Sequence, residues 1–260
     1  MLVAVFAAQE ARADETTELN RVWANTLVVI PQEPDVYFYR AERNLDLAIE
    51  KLAPGKKYPA VVFLHGCSGL SLGSTQVTRM VHDMAAAGFV VFAPNSLDRP
   101  HPPYCDPKTL KSYIDFNKVG LRIAEAKMVR QRIAEFGWID TQSIFLAGHS
   151  MGGMTTHNYT AADHFRGYVV LGYHCGPHTD RRLEGIKTPA GRPILSVLGD
   201  ADEWFAGGPN RAVNCGQYMR AHPAGKSVVL KGAPHDISAH PDGMKLVVEF
   251  LRSNSVTSHQ

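Results

Sequence analysis

The chain has 260 residues, a formal net charge of +2, 45% hydrophobic residues and 20% charged residues. That is enough apolar material for a large core and too little charge for a disordered chain, and the near-balanced charge supplies no field that would draw in nucleic acid or an acidic membrane. No run approaches the roughly eighteen apolar residues of a membrane span, and α/β chains of about 250 residues commonly fold as one unit, so a single domain with a small-molecule partner is expected, as a monomer or weak homodimer.

At the N-terminus, Leu2 to Ala8 form a short apolar run, and Ala11-Arg12-Ala13 has the small-x-small spacing of a signal-peptidase site, with Asp14 and Glu15 just beyond. This resembles the end of a secretory signal without its basic start. Residues 1–13 are therefore expected to be a leader remnant and 14–260 the domain, in the periplasm or outside the cell, with the cytoplasm as the alternative.

The body alternates strand and helix signals. Thr26 to Ile30 and Val36 to Arg40 read as two opening strands, an antiparallel hairpin at a sheet edge. Ala60 to His65 is an unbroken apolar run, the pattern of a strand buried on both faces. Gln76 to Ala87 carries Val77, Met80, Val81, Met84 and Ala85 as a helical stripe that stops at Gly88. Phe89 to Ala93 is another buried strand, and Lys118 to Phe136 is the longest helix, with Ala126, Val129, Ile133 and Phe136 on one face. Ser143 to Ala147, Gly167 to Leu171, Ile194 to Leu198 and Ser227 to Leu230 supply further strands, and Pro241 to Arg252 a closing helix. Such alternation implies a mostly parallel central sheet of about eight strands with helices on both faces.

In such a sheet, ligands bind beyond the carboxyl ends of the strands. Four groups follow that rule: His65-Gly66-Cys67-Ser68-Gly69, the hexapeptide Gly148-His149-Ser150-Met151-Gly152-Gly153, Gly199-Asp200-Ala201-Asp202, and His235. The hexapeptide lies between a strand and a helix, the setting of a G-x-S-x-G nucleophile elbow, whose glycines let the chain turn tightly enough to aim a serine Oγ into a cleft. With Leu64-His65-Gly66 and Gly232-Ala233-Pro234-His235, the elbow resembles the α/β-hydrolase superfamily in its dienelactone-hydrolase-like branch, over residues 35–252. The resemblance implies an α/β-hydrolase fold and a hydrolase; no GxGxxG dinucleotide loop, Walker lysine motif or zinc-site spacing occurs in the chain, so no cofactor or metal is expected. Dienelactone hydrolases carry cysteine in the elbow, where this chain has Ser150, so dienelactone itself is not the implied substrate.

The candidate roles follow from position and from that resemblance. Ser150 is the nucleophile. Of twelve histidines, His235 follows the last strand and precedes the closing helix, so it is the general base, with His240 as its nearest competitor. Asp200 and Asp202 share the acid's loop; the family pattern Gly-x-x-Asp, starting at Gly199, selects Asp202 and leaves Asp200 to brace the turn. The backbone N–H groups of Cys67 and Met151 are the candidate oxyanion donors, and His65, Gly66, His174 and Trp204 are candidate pocket residues, Trp204 either as a wall or as a packed anchor. Cys67 as an alternative nucleophile lacks an elbow. His101, His174 and His178 lie in rim loops without zinc-site spacing.

Four cysteines allow three pairings. In the sheet order the family implies, Cys67 and Cys105 follow neighbouring strands, as do Cys175 and Cys215, so those two disulfides are expected. Gly172 to Arg192 is too short and polar for a two-helix lid, and Asn95 to Asn117, with Pro100, Pro102, Pro103 and Pro107, reads as a rigid rim loop. The resulting expectation is an esterase for short acyl chains acting through an acyl-enzyme. Thioesterase, peptidase or acyltransferase chemistry on the same triad is one alternative, and an inactive binding protein with this fold is another.

Overall fold

A computed structural model describes residues 15–31, 36–70, 75–100, 102, 105–106, 108–109, 111–112 and 114–256. The expected leader remnant and His101 lie outside the described residues.

Residues 15–24 are helical (α1). There follow β1 (Leu27–Pro31), β2 (Val36–Arg40), α2 (Ala41–Glu50), β3 (Tyr58–Leu64), α3 (Thr75–Ala86), β4 (Val90–Ala93) and a two-residue ribbon of β5 (Cys105–Asp106) and β6 (Lys111–Ser112). The rest comprises α4 (Phe116–Ala134), β7 (Ile139–His149), α5 (Met151–His157), β8 (Tyr168–Leu171), β9 (Ile194–Gly199), β10 (Lys226–Leu230) and α6 (Gly243–Asn254).

Eight strands form one sheet in the order β10-β9-β8-β7-β3-β4-β1-β2. The strands from β10 through β4 pair in parallel, whereas β1 pairs antiparallel with both β4 and β2. The edge hairpin and the parallel centre match the sequence reading. Two apolar clusters fill the faces: Val62, Leu64, Phe92, Val129 and Leu146 on one side, and Val61, Phe63, Val91, Phe145, Met84 and Val247 on the other. Residues alternate between the two because successive side chains on a strand point to opposite faces.

Some boundaries differ from the sequence reading. β7 begins at Ile139 rather than near Ser143, and its exposed Thr141 and Gln142 conceal the start from any search for apolar runs. α4 ends at Ala134; Phe136 leaves the helix and stacks on Trp138 at 5.3 Å. The helix α2 has no counterpart in the sequence reading, although Ala41, Leu45 and Ala48 lie at helical spacing and face the core; two of the three are alanines, which leave only a faint apolar stripe. The stretch between β4 and α4 is not uniform loop, since the β5–β6 ribbon interrupts it.

Candidate active site

Ser150 joins the end of β7 to the start of α5 with φ 56° and ψ −119°. A non-glycine residue is strained there, and the elbow over-determines it: Ser150 N–H donates to Leu171 O at 2.8 Å and Ser150 O accepts from Met154 N–H at 2.9 Å. The flanking glycines are sterically required. A Cβ at 152 would come within 1.8 Å of Leu64 O, and one at 148 within 2.3 Å of Gly152 O. β3 and α5 therefore approach closely enough to bring the Gly66-Cys67 loop beside Ser150.

His235 follows β10 and is 5% exposed; Asp202 follows β9 and is 2% exposed. The His235 Nδ1 and Asp202 Oδ2 are 2.8 Å apart. Asp202 Oδ1 also accepts from Trp204 N–H at 2.9 Å, so both carboxylate oxygens are satisfied. Asp200, the competing acid, accepts from Gly232 N–H at 2.6 Å, as a turn brace would. His240 accepts at Nδ1 from Asp242 N–H and lines neither of the cavities at Ser150. Ser150 and His235 border one cavity of about 420 Å³ with Gly66, Cys67, Ser68, Gln76, His149, Glu203 and Trp204. Among the described residues, the Cys67 and Met151 N–H groups have no acceptor, which leaves them available as donors.

The pocket candidates divide. Gly66 and Trp204 line the large cavity, and His174 lines a smaller adjoining one; Trp204 lies 5.5 Å from the His235 ring and so forms a wall. His65 does not line either. Its side chain is fully buried, Nδ1 donating to Gly66 O at 2.6 Å and Nε2 accepting from Ser96 N–H at 3.0 Å. Burial, with the Arg122 charge nearby, pushes its pKa down to about 3, so His65 is a neutral brace rather than a pocket residue. His178 also lies at the smaller cavity, and among the described residues no group of three or more His, Cys, Asp or Glu side chains is placed to hold a metal.

Three features escaped the sequence reading. His149, the variable residue of the elbow, donates from Nε2 to His235 O at 2.9 Å, and burial, followed by the nearby His235, pushes its pKa down to about 3. Glu203 accepts from His235 N–H at 3.1 Å. Beneath the Gly66-Cys67 loop lies a buried polar network: Arg122 donates to His65 O and to Ser96 Oγ, Ser96 Oγ donates to Glu125 Oε2 at 2.5 Å, and Arg99 pairs with Glu125 and, at 3.3 Å, with Glu18 of α1. Arg122 and Glu125 stand on the same stripe of α4 as Ala126, Val129 and Ile133. Charged residues at stripe spacing were the available signal.

Both expected disulfides are present, Cys67–Cys105 and Cys175–Cys215. The first ties the residue after Gly66 to the β5–β6 ribbon, so it fixes the rim loop over the cavity.

The dienelactone hydrolase family model matches residues 47–242. No curated protein matches the chain. Solved structures similar in fold include a protein designated a dienelactone hydrolase from Klebsiella pneumoniae, 16% identical over 87% of this chain and 98% of that one, with a TM-score of 0.59. Est1E from Butyrivibrio proteoclasticus is 15% identical over 88% and 91%, TM-score 0.53. An S-formylglutathione hydrolase from Agrobacterium tumefaciens is 13% identical over 77% and 86%, TM-score 0.56. The structural likenesses carry the fold, the family match spans most of the sheet and every strand-end loop described above, and the chain belongs to the dienelactone hydrolase family.

Proposed function

We propose that the protein is a serine hydrolase that cleaves carboxylic esters of short acids through an acyl-enzyme on Ser150. His235 takes the Ser150 proton as Oγ attacks the ester carbonyl, and the resulting oxyanion is held by the N–H groups of Cys67 and Met151. His235 then gives the proton to the departing alcohol, and the same steps with water release the acid. Asp202, hydrogen-bonded at Nδ1, keeps the imidazole in the tautomer that leaves Nε2 free as a base and stabilises the imidazolium. The observation that carries this reading is the combination of a strained Ser150 with a His235–Asp202 pair held at 2.8 Å around one cavity. No metal or cofactor enters it.

The substrate range follows from the walls. The segment after β8 holds a single turn of 3₁₀-helix, Arg181–Leu183, and no lid helices. An acyl chain extending past the cavity would stay in water, forfeiting about 0.8 kcal/mol per exposed methylene. Highest kcat/KM is expected for acyl chains of roughly two to six carbons, without interfacial activation. A p-nitrophenyl ester panel from acetyl to palmitoyl tests this; a rate that rises toward palmitoyl, or jumps on emulsification, overturns it. Thioester, amide or acyl-transfer chemistry would use the same groups, and activity on acyl-thiols or peptides exceeding that on esters would favour it.

We read residues 14–260 as one domain that acts as a monomer or weak homodimer. Two disulfides fit an oxidising compartment and so favour export over a cytoplasmic site.

A further inference from the structure

The cleft at Ser150 has two parts. The larger is bordered by the Gly66-Cys67 loop, Gln76, His149 and Glu203. The smaller, about 140 Å³, shares Ser150, His235 and Trp204 with it, but Tyr173, His174 and Phe205 make its far wall. Those rings form a corner. His174 stacks on Tyr173 at 4.8 Å and 16°, and Phe205 stands across His174 at 4.8 Å and 87°. Phe205 also meets the His235 ring at 6.2 Å and 67°.

Size and chemistry select the same guest. A cavity of about 150 Å³ is large enough for one benzene molecule, so the volume of this one, about 140 Å³, suits a single six-membered ring and no fused pair. Rings set at right angles offer both a face and an edge to a planar guest, which aromatic pairs prefer over a parallel sandwich. Burial, with His178 nearby, brings the His174 pKa down to about 4, so that wall is uncharged at neutral pH. His235 hands its proton to the leaving alcohol, and Phe205 is packed against His235.

We propose that the smaller cavity is a subsite for one uncharged aromatic ring carried on the alcohol side of the ester, so that the preferred substrates are arylmethyl esters of short acids. This rests on the reading of Ser150 as nucleophile. The saturated analogue of the same carbon count is thicker and lacks the ring quadrupole, so it fits and binds less well.

The test compares benzyl acetate with cyclohexylmethyl acetate, whose alcohols have similar acidity, and, for the acid side, methyl phenylacetate with methyl cyclohexylacetate. The expected kcat/KM ratio for the acetate pair is about fivefold or more in favour of benzyl. Phe205→Leu should bring that ratio near one, whatever it does to the absolute rates, and Phe205→Tyr, which keeps the ring, should preserve it. A ratio within twofold in the wild type, a ratio untouched by Phe205→Leu, or a preference confined to the acid-side pair overturns the proposal. Calorimetric binding of benzyl alcohol and cyclohexylmethanol to Ser150→Ala protein needs no turnover. Tighter binding of benzyl alcohol there, with no ester cleaved by the wild type, would keep the ring site and sink the hydrolase reading; equal binding would sink the ring site even in an active esterase.

Discussion

Arg122, with no solvent exposure, donates from Nη2 to the carbonyl oxygen of His65 at 2.8 Å. That carbonyl lies two residues before Cys67, whose N–H is a proposed oxyanion donor, so a side chain on α4 sets the height of a loop it does not belong to. Burial, opposed by Glu125, brings the Arg122 pKa down to about 10, which leaves it charged at neutral pH. Arg122→Lys keeps a charge but loses the planar two-point hold on His65 O and Ser96 Oγ. It should lower kcat by about a hundredfold, the scale of one lost oxyanion donor, with KM little changed, and weaken a boronic-acid transition-state analogue in parallel. A variant that loses thermal stability but keeps kcat within twofold would make Arg122 purely structural.

The two aspartates of the β9 loop separate by partner. Asp202→Asn should cost about four decades in kcat, because the imidazole loses the group that fixes its tautomer. Asp200→Asn keeps an oxygen to accept from Gly232 N–H and removes only the charge that strengthens that bond, so it should cost at most about 1 kcal/mol of stability and little rate. Steady-state kinetics on both variants checks this, and equal or reversed losses would move the acid to Asp200.

Acid should unfold the protein through its buried histidines. Desolvation leads the causes at His65, His149 and His157, each brought to about 3, and at His174, brought to about 4. Their unfolded value is about 6.5. With the folded pKa below the unfolded one, the unfolded chain binds the extra protons, so this stability is complete above about pH 6.5 and is lost as pH falls toward 3–4. Each histidine contributes a slope of about 1.4 kcal/mol per pH unit inside that window. Urea unfolding at pH 7 and pH 5 should therefore differ by several kcal/mol; equal stabilities would mean that these rings are hydrated.

The disulfides close loops with sequence separations of 38 and 40, for which the chain-entropy model gives about 4 kcal/mol each. Cys175→Ser with Cys215→Ser should cost stability and little rate, whereas Cys67→Ser with Cys105→Ser should also reduce kcat, because that bridge pins the rim loop beside Cys67. Four alkylatable thiols in native protein from its own compartment would contradict both bridges.

The strands were legible because a sheet buried on both faces demands continuous apolar runs, and the elbow was legible because its glycines have no substitute: any side chain at 152 would occupy the space of Leu64 O. Asp202 was accessible only through the spacing from Gly199, since Asp200 shares its loop and differs by partner alone. His65 misled because its place at a strand end suggests a pocket, while Ser96 and Gly66 O take both ring nitrogens inside the core. The Arg122–Glu125 network was hidden by the habit of assigning helix charges to solvent, although their spacing put them on the buried stripe. The aromatic corner could not be read from the chain, because Tyr173 and Phe205 meet only when the loops after β8 and β9 fold together.

The central claim is that Ser150 is the acylated nucleophile. Incubating native protein with a fluorophosphonate and mapping the adduct by peptide mass spectrometry tests it most directly. One adduct on Ser150, with ester hydrolysis lost in proportion to labelling, is the expected result; an adduct on another residue, or undiminished hydrolysis with Ser150 fully labelled, would contradict it.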